Sequence, residues 1–208
     1  MTDVLAGLVD ATARYLYGLD HPGAAEVMAG LDRRRRAGEV VPATTPITDA
    51  HLSPALAAVE GQPDLVAAIA AAAPRLAWRS YDRYPAEAIG AGFRAGNAFA
   101  PLVGPRAPFA AGDYEVGLFL IAPGVFYRDH RHAAPELYAP LTGPHGWRFA
   151  PGAALDWLPA HVPVWNPPLR PHATKVGTVP FLCLYVWTEA VVEPATIVPA
   201  EDWASLDG

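Results

Sequence analysis

Between Gly124 and Gly143 stand two imidazoles, a carboxylate and a phenol: His130, His132, Glu136 and Tyr138. Nitrogen and oxygen donors in this mixture suit one divalent transition metal (zinc, iron(II), manganese, cobalt or nickel), and affinity order alone does not choose among them. The four positions share one parity. Alternate side chains of an extended chain face the same way, so a strand through this stretch aims all four at one point. Pro135 lies inside the run and predicts a bend or a sheet rim there. One more histidine from elsewhere completes the set, and His172 is the best candidate. A free phenol ionises only near a pH of about 10, but a neighbouring divalent cation stabilises phenolate. Tyr138 is therefore read as a metal ligand at rest that turns base when substrate displaces it. Tyr127, just upstream, can face the same cavity; the alternative for both tyrosines is a place in the core with the hydroxyl hydrogen-bonded.

Several elements must position these groups. Leu5, Leu8, Val9, Tyr15, Leu16 and Leu19 recur at helical spacing and predict a helix from about Asp3 to Leu19, capped by Thr2 or Asp3. After His21-Pro22-Gly23 a second helix is expected from Ala24 to Arg36, with Arg33–Arg36 as four cations at its C-terminal end, where the dipole favours them. Gly38 to Pro46 reads as a connector. A third, short helix is expected to start with Ser53 as cap and Pro54 in its first turn, and Pro63 opens a fourth that Pro74 stops. His21 and His51 stand alone and read as structural or exposed.

The pattern changes near Leu76. Tyr114–Ile121, Val125–Tyr127, Leu137–Leu141, Trp147–Phe149, Pro163–Trp165 and Phe181–Trp187 are strand candidates separated by Gly, Pro and Asn. Short strands with such turns predict a mainly β sandwich or barrel. The division expected is a helical segment over residues 1–75 and a β domain with the metal site over residues 76–208.

Composition narrows the function. A net charge of −6 argues against a nucleic-acid partner, which needs a basic face. No uninterrupted apolar run reaches the roughly 18 residues of a membrane span, and no basic n-region followed by an apolar stretch is visible before the first helix; a cytoplasmic protein is expected, with the periplasm the alternative, as a monomer or homodimer. Cys183, the single cysteine, lies in the apolar run 181–187 and reads as a core thiol. Aromatic residues are dense around the donors, and aromatic faces attract cations without a counter-charge. A metal for a carboxylate, a phenolate base and an aromatic wall together suit a small zwitterionic substrate with an acidic C–H.

The spacing of Gly124, His130, His132, Glu136 and Gly143 resembles the first motif of the cupin superfamily at every fixed position. Pro167-Pro-Leu-Arg-Pro-His172 resembles the second, with Leu169 where the family usually has Gly and Val176 where it often has Asn. The resemblance implies a double-stranded β-helix barrel in which His132, Glu136 and His172 bind the metal, with His130 a fourth ligand or a close neighbour. Within the cupins, the segment Tyr127–Gly143 with Trp147, Arg170–Thr174 and Trp187 is similar to the dimethylsulfoniopropionate lyases of the DddQ type. That similarity implies β-elimination of dimethylsulfoniopropionate (DMSP) to dimethyl sulfide and acrylate. It matches His132, Glu136, His172 and Tyr138 to metal ligands, Tyr138 also to the base, His130 and Tyr127 to groups that assist substrate binding or proton transfer, and Trp187 to the substrate site. The competing readings are an iron(II) dioxygenase, another cupin enzyme acting on a different small carboxylate, and a non-catalytic metal- or ligand-binding cupin.

Overall fold

The computed structural model describes residues 3–207, positions 37 and 39 excepted. Asp3 Oδ1 accepts the amide hydrogens of Leu5 and Ala6 and starts helix α1, Val4–Tyr17, whose buried face is the predicted one. Thr2, the other cap considered, and Glu39 of the connector lie outside the described residues.

Helix α2, Ala24–Asp32, ends before the arginine run. Arg35 and Arg36 instead form a short strand, β1, antiparallel to residues 109–110. The guanidiniums find better partners than a helix end. Arg34 turns back to the Leu31 carbonyl and to Asp10, while Arg36 pairs with Asp3 and lies 5.2 Å from the centre of the Phe109 ring. The expectation for the next helix is corrected too. Helix α3 spans Pro46–Ala57 and starts at Thr45, which forms a reciprocal capping box with Thr48, with Pro46 in the first turn. Pro54 is thus interior, where it removes one amide donor from the ladder. Helix α4, Pro63–Ala72, runs into a 3-10 turn over 73–75, as its flanking prolines predict.

Two short helices, α5 (Ala86–Ile89) and α6 (Ala91–Ala95), and the strand β2, Asn97–Val103, were not anticipated. Pro101 hides β2 from a strand reading; it sits where the register with the neighbouring strand shifts, the kind of irregularity that tolerates proline. There follow β3 (Phe109–Ala110), β4 (Glu115–Ile121), β5 (Phe126–Arg131), β6 (Glu136–Pro140), β7 (His145–Arg148), β8 (Asp156–Leu158), β9 (Val164–Asn166), β10 (His172–Lys175), β11 (Phe181–Trp187), β12 (Thr196–Ile197) and a last turn of helix, α7 (Trp203–Leu206).

These strands form two sheets, β1-β3-β2-β4-β11-β6-β9 and β12-β5-β10-β7-β8. The mainly β, double-stranded β-helix architecture with a helical N-terminal segment is the expected one. The barrel is not closed by hydrogen bonds, however: it is two facing sheets, each with free edges among the described residues.

Parity explains the packing. Leu118, Leu120, Leu137, Ala139, Leu182, Leu184 and Val186 point to one side and share a buried cluster with Leu8, Leu16, Val27, Leu31 and Ile69 of the helices. Their alternates Phe119, Ile121, Tyr138, Phe181, Cys183 and Tyr185 point the other way and pack with Tyr127 and Trp147 of the second sheet and with Val176 just past β10. A sheet covered on both faces needs apolar residues at every position, which is why β4 and β11 read as continuous apolar runs. Cys183 is fully buried, as expected of a core thiol. Tyr114 at the mouth of β4 packs so closely on α2 that a Cβ at Gly30 would lie 2.0 Å from its ring.

Candidate metal centre and cavity

The donor stretch is not one strand. His130 lies on β5 in the smaller sheet and Glu136 opens β6 in the larger one. The chain leaves β5 at His132, crosses between the sheets over 133–135, and enters β6 after Pro135. The predicted bend is thus a change of sheet. Glu136 and Tyr138 share a face because both lie on β6. They meet the histidines because the two sheets face each other.

A second device aligns Tyr127 with His130. Three residues apart, they have opposite parity, yet their rings stack at 3.9 Å and 16°. The pairing of β5 with β10 matches His130 to His172 and Tyr127 to Thr174, so β5 carries one extra residue between these pairs. This bulge restores a common face for the two rings and turns Asp129 away. Phe93 of α6 stacks on the other face of Tyr127 at 3.9 Å, and Tyr84 hydrogen-bonds the Tyr127 hydroxyl at 2.7 Å.

The three imidazoles converge. Ligand atoms of His130, His132 and His172 lie within 4.8 Å of one another, and all three residues are buried. Each Nδ1 sits at a backbone carbonyl: Arg128 at 2.8 Å, Ala134 at 2.8 Å and Arg170 at 3.0 Å, respectively. A carbonyl can only accept, so each Nδ1 carries the hydrogen and each Nε2 faces the interior. The Nε2 atoms of His130 and His172 are buried with no hydrogen-bond partner. Glu136 Oε2 approaches His132 Nε2 at 2.9 Å and His172 Nε2 at 3.3 Å, while Oε1 accepts the indole hydrogen of Trp187 at 2.7 Å. Orphaned imidazole nitrogens around a carboxylate fit a divalent transition metal by type and by orientation.

The electrostatics agree. Burial holds His130 well below the ordinary imidazole range, helped by His172 and His132. Burial alone would raise the Glu136 carboxyl, but His132 and His172 outweigh it and hold it far below the usual range. Burial likewise opposes a charge on His132, yet Glu136 raises it, so a proton is stabilised between these two when no other cation is there. A metal must displace that proton. Burial, then the charge of Glu136, pushes the Tyr138 phenol well above its ordinary value. Phenolate there requires a compensating positive charge.

Beside the donors lies a cavity of about 210 Å³ that reaches Tyr127, Glu136, Tyr138 and Trp187, walled by Phe119 and Tyr185. The candidate site residues are therefore gathered at one place: His130, His132, Glu136 and His172 as a donor group, Tyr127, Tyr138 and Trp187 at its cavity. Tyr138 is 6.1 Å from His172 between ring centres, and Trp187 4.6 Å from His132. Among the described residues, the unpartnered groups also include Asn166, the cross-strand neighbour of Glu136, with both amide atoms buried and unbonded. Sequence reasoning missed Asn166, Tyr84 and Phe93. Asn166 directly precedes the Pro167–His172 motif, which is the signal that was available. Leu169, standing where cupins usually have Gly, adopts φ of +61° and donates its amide to the His132 carbonyl at 2.8 Å. The backbone keeps the glycine-like conformation despite the side chain.

A family model described as dimethylsulfoniopropionate lyase matches residues 23–183. The chain belongs to the DMSP lyase family. Membership makes it a lyase. The DMSP lyase DddQ of Ruegeria pomeroyi is 29% identical over 158 residues, which cover 68% of this chain and 73% of that protein. The fold is shared with two solved structures. One, described with the DMSP lyases RdDddP and RnDddQII, has a TM-score of 0.76 at 24% identity and covers 94% of this chain and 98% of that one. The other, DddQ from R. pomeroyi DSS-3, has a TM-score of 0.69 at 23% identity and covers 97% and 99%. Among the described residues no helix is long and apolar enough to cross a membrane.

Proposed function

We propose that this chain is a metal-dependent carbon–sulfur lyase that splits DMSP into dimethyl sulfide and acrylate, with Tyr138 as the base. The observation that carries the reading is the convergence of three histidines, each with Nδ1 tied to a carbonyl, beside a cavity that holds Glu136 and Tyr138. The proposed metal ligands are His132, Glu136 and His172, with Tyr138 a further ligand at rest. The nearness of His130 to the other two imidazoles supports it as a fourth donor. When bound, a zinc, iron(II), manganese, cobalt or nickel ion supplies Lewis-acid stabilisation for the charge that develops next to the substrate carboxylate.

The rest is done by side chains of the chain itself. The Tyr138 oxygen takes the proton from the carbon next to the carboxylate. The C–H electron pair becomes the new double bond between the two methylene carbons. The C–S bond breaks with its pair going to sulfur, so the leaving group is a neutral thioether and the product acrylate. Trp187 offers an aromatic face to the sulfonium. Tyr127, fixed by Tyr84 and stacked on His130, braces that imidazole and closes the wall on one side. The substrate is a small soluble zwitterion, and the proposed compartment is the cytoplasm, which suits the lone buried thiol Cys183.

The test is to incubate metal-loaded protein with DMSP without oxygen and to measure dimethyl sulfide in the headspace. Dimethyl sulfide is expected from the wild type. Tyr138→Phe is expected to keep its metal and lose about 10²–10⁴-fold in rate, the usual weight of a positioned base. No dimethyl sulfide from the wild type overturns the substrate. An unaffected Tyr138→Phe overturns the base, and turnover that requires oxygen favours the dioxygenase reading.

A further inference from the structure

The cavity contains a second carboxylate that the reaction above does not use. Glu115, at the start of β4, lines it together with Tyr185 and Trp187. Register fixes its position relative to the donor group. In the pairing of β4, β11 and β6, Trp187 is the partner of Glu115 on one side and of Glu136 on the other. Glu115, Trp187 and Glu136 therefore form one row across three adjacent strands with their side chains on the cavity face. Two strand spacings separate the carboxylates, about 10 Å at the backbone, with the Trp187 indole between them. In the next row Tyr185 stands opposite Tyr138.

Burial pushes the Glu115 carboxyl up from its ordinary value, opposed by the Tyr185 hydroxyl and by Arg79, Arg106 and Arg83 nearby. Its Oε1 accepts the Tyr185 hydroxyl at 2.8 Å. Among the described residues it makes no ion pair within 4.0 Å. The arginines that also line the cavity are Arg79, Arg83 and Arg106. Arg79 stands over the Phe99 ring at 5.0 Å rather than on the carboxylate. An anion half-buried among aromatic faces and lacking a paired cation is a place for a cationic ligand group, above all a weakly hydrated one wrapped in methyl groups.

We infer that Glu115, oriented by Tyr185, is the counter-charge for the cationic end of the substrate and so a specificity-determining residue of this cavity. The substrate then lies along the row. Its carboxylate is at the Glu136–histidine end, its α-carbon beside Tyr138, and its sulfonium over Trp187 toward Glu115. The two methylene carbons between its charged ends span part of the separation between the two carboxylates. The inference rests on the orientation given under the proposed function, but its test does not depend on turnover.

Two unreactive ligands of the same shape differ in one charge: 3-(trimethylammonio)propionate and 4,4-dimethylpentanoate. Their dissociation constants are measured by calorimetry on the metal-loaded protein. The wild type is expected to prefer the ammonium ligand, and Glu115→Gln, which still accepts from Tyr185, to lose about tenfold in affinity for it while binding its tert-butyl analogue unchanged. Glu115→Asp keeps the charge but draws it back by one methylene, and is expected to show a smaller loss confined to the ammonium ligand. Equal losses for both ligands in either variant, or no preference in the wild type, overturn the inference. An increase in ammonium binding on removing Glu115 also overturns it. Absence of dimethyl sulfide from the wild type, with the charge preference intact, overturns the reaction and leaves this subsite standing.

Discussion

Asp129 and His130 are consecutive residues on β5, and they open onto two buried polar clusters of opposite character. On the Asp129 side every group is matched. Arg148 donates from Nε and Nη2 to Asp129 and from Nη1 and Nη2 to Asp202, and the Trp203 indole donates to Asp129 at 2.7 Å. The side chains of Arg148 and Asp129 are both 0% exposed. On the His130 side, equally buried, Nε2 of His130 and of His172 have no hydrogen-bond partner, and His172 reaches Glu136 only at 3.3 Å. A buried polar group without a partner costs about 1–3 kcal/mol. A satisfied cluster holds the C-terminal segment against the sheet, whereas an unsatisfied one is organised for something that arrives later. Burial and charge do not distinguish the two clusters, but the count of unmet hydrogen bonds does.

The largest effect that sharpens this contrast concerns the metal. His132→Ala and His172→Ala are expected to lose bound metal and at least about 100-fold in lyase rate. Full metal content in both variants would break the donor assignment. On the other side of β5 the expectation reverses. Arg148→Met leaves Asp129 buried without its partner and should cost about 3–5 kcal/mol by denaturant unfolding, with metal affinity per folded molecule unchanged. If Arg148→Met costs nothing, the satisfied cluster is ornamental and the comparison fails.

Trp187 belongs to the boundary. Its indole hydrogen holds Glu136 Oε1 while its ring lines the cavity. Trp187→Phe keeps an aromatic face but loses the donor. It is expected to weaken metal binding by about 10–100-fold in competition with a chelator, and an unchanged affinity would reduce Trp187 to a wall. The smallest effect is on pH. His145 donates from Nε2 toward Thr142 at 3.2 Å and accepts the Gly177 amide at Nδ1, so it is built in neutral, and burial lowers its pKa to about 4. The unfolded chain protonates near about 6.5. Its share of stability is therefore fully present above that value and is lost as pH falls toward about 4. His145→Gln should flatten that part of the unfolding profile between pH about 6.5 and 4.

Much of this was readable in advance, for identifiable reasons. The donor types and their spacing pointed to His132, Glu136 and His172, because metal ligation is demanding in chemistry and tolerant in backbone. Helix α1 was readable because its cap and its apolar stripe agree. The arginine run misled because dipole arguments favour cations at a helix end, whereas Arg34 and Arg36 had acids on α1 and at its cap to reach. Thr45 was a stronger start signal than Ser53, since its partner three residues on completes the cap. Strand β2 was concealed by a proline that a register shift accommodates.

By itself the sequence determined which atoms can bind a cation, where chain reversals fall, and that β4 and β11 are covered on both faces. These depend on residue type and local periodicity. Only the tertiary structure decided that the donors meet, because they come from two sheets linked at Pro135. It also decided that Tyr127 turns with His130, because one extra residue in β5 offsets its parity, and that Glu115 shares a row with Glu136, because β11 pairs with both of their strands. Registers between distant strands are set by the packing of whole sheets, and no local pattern along the chain encodes them.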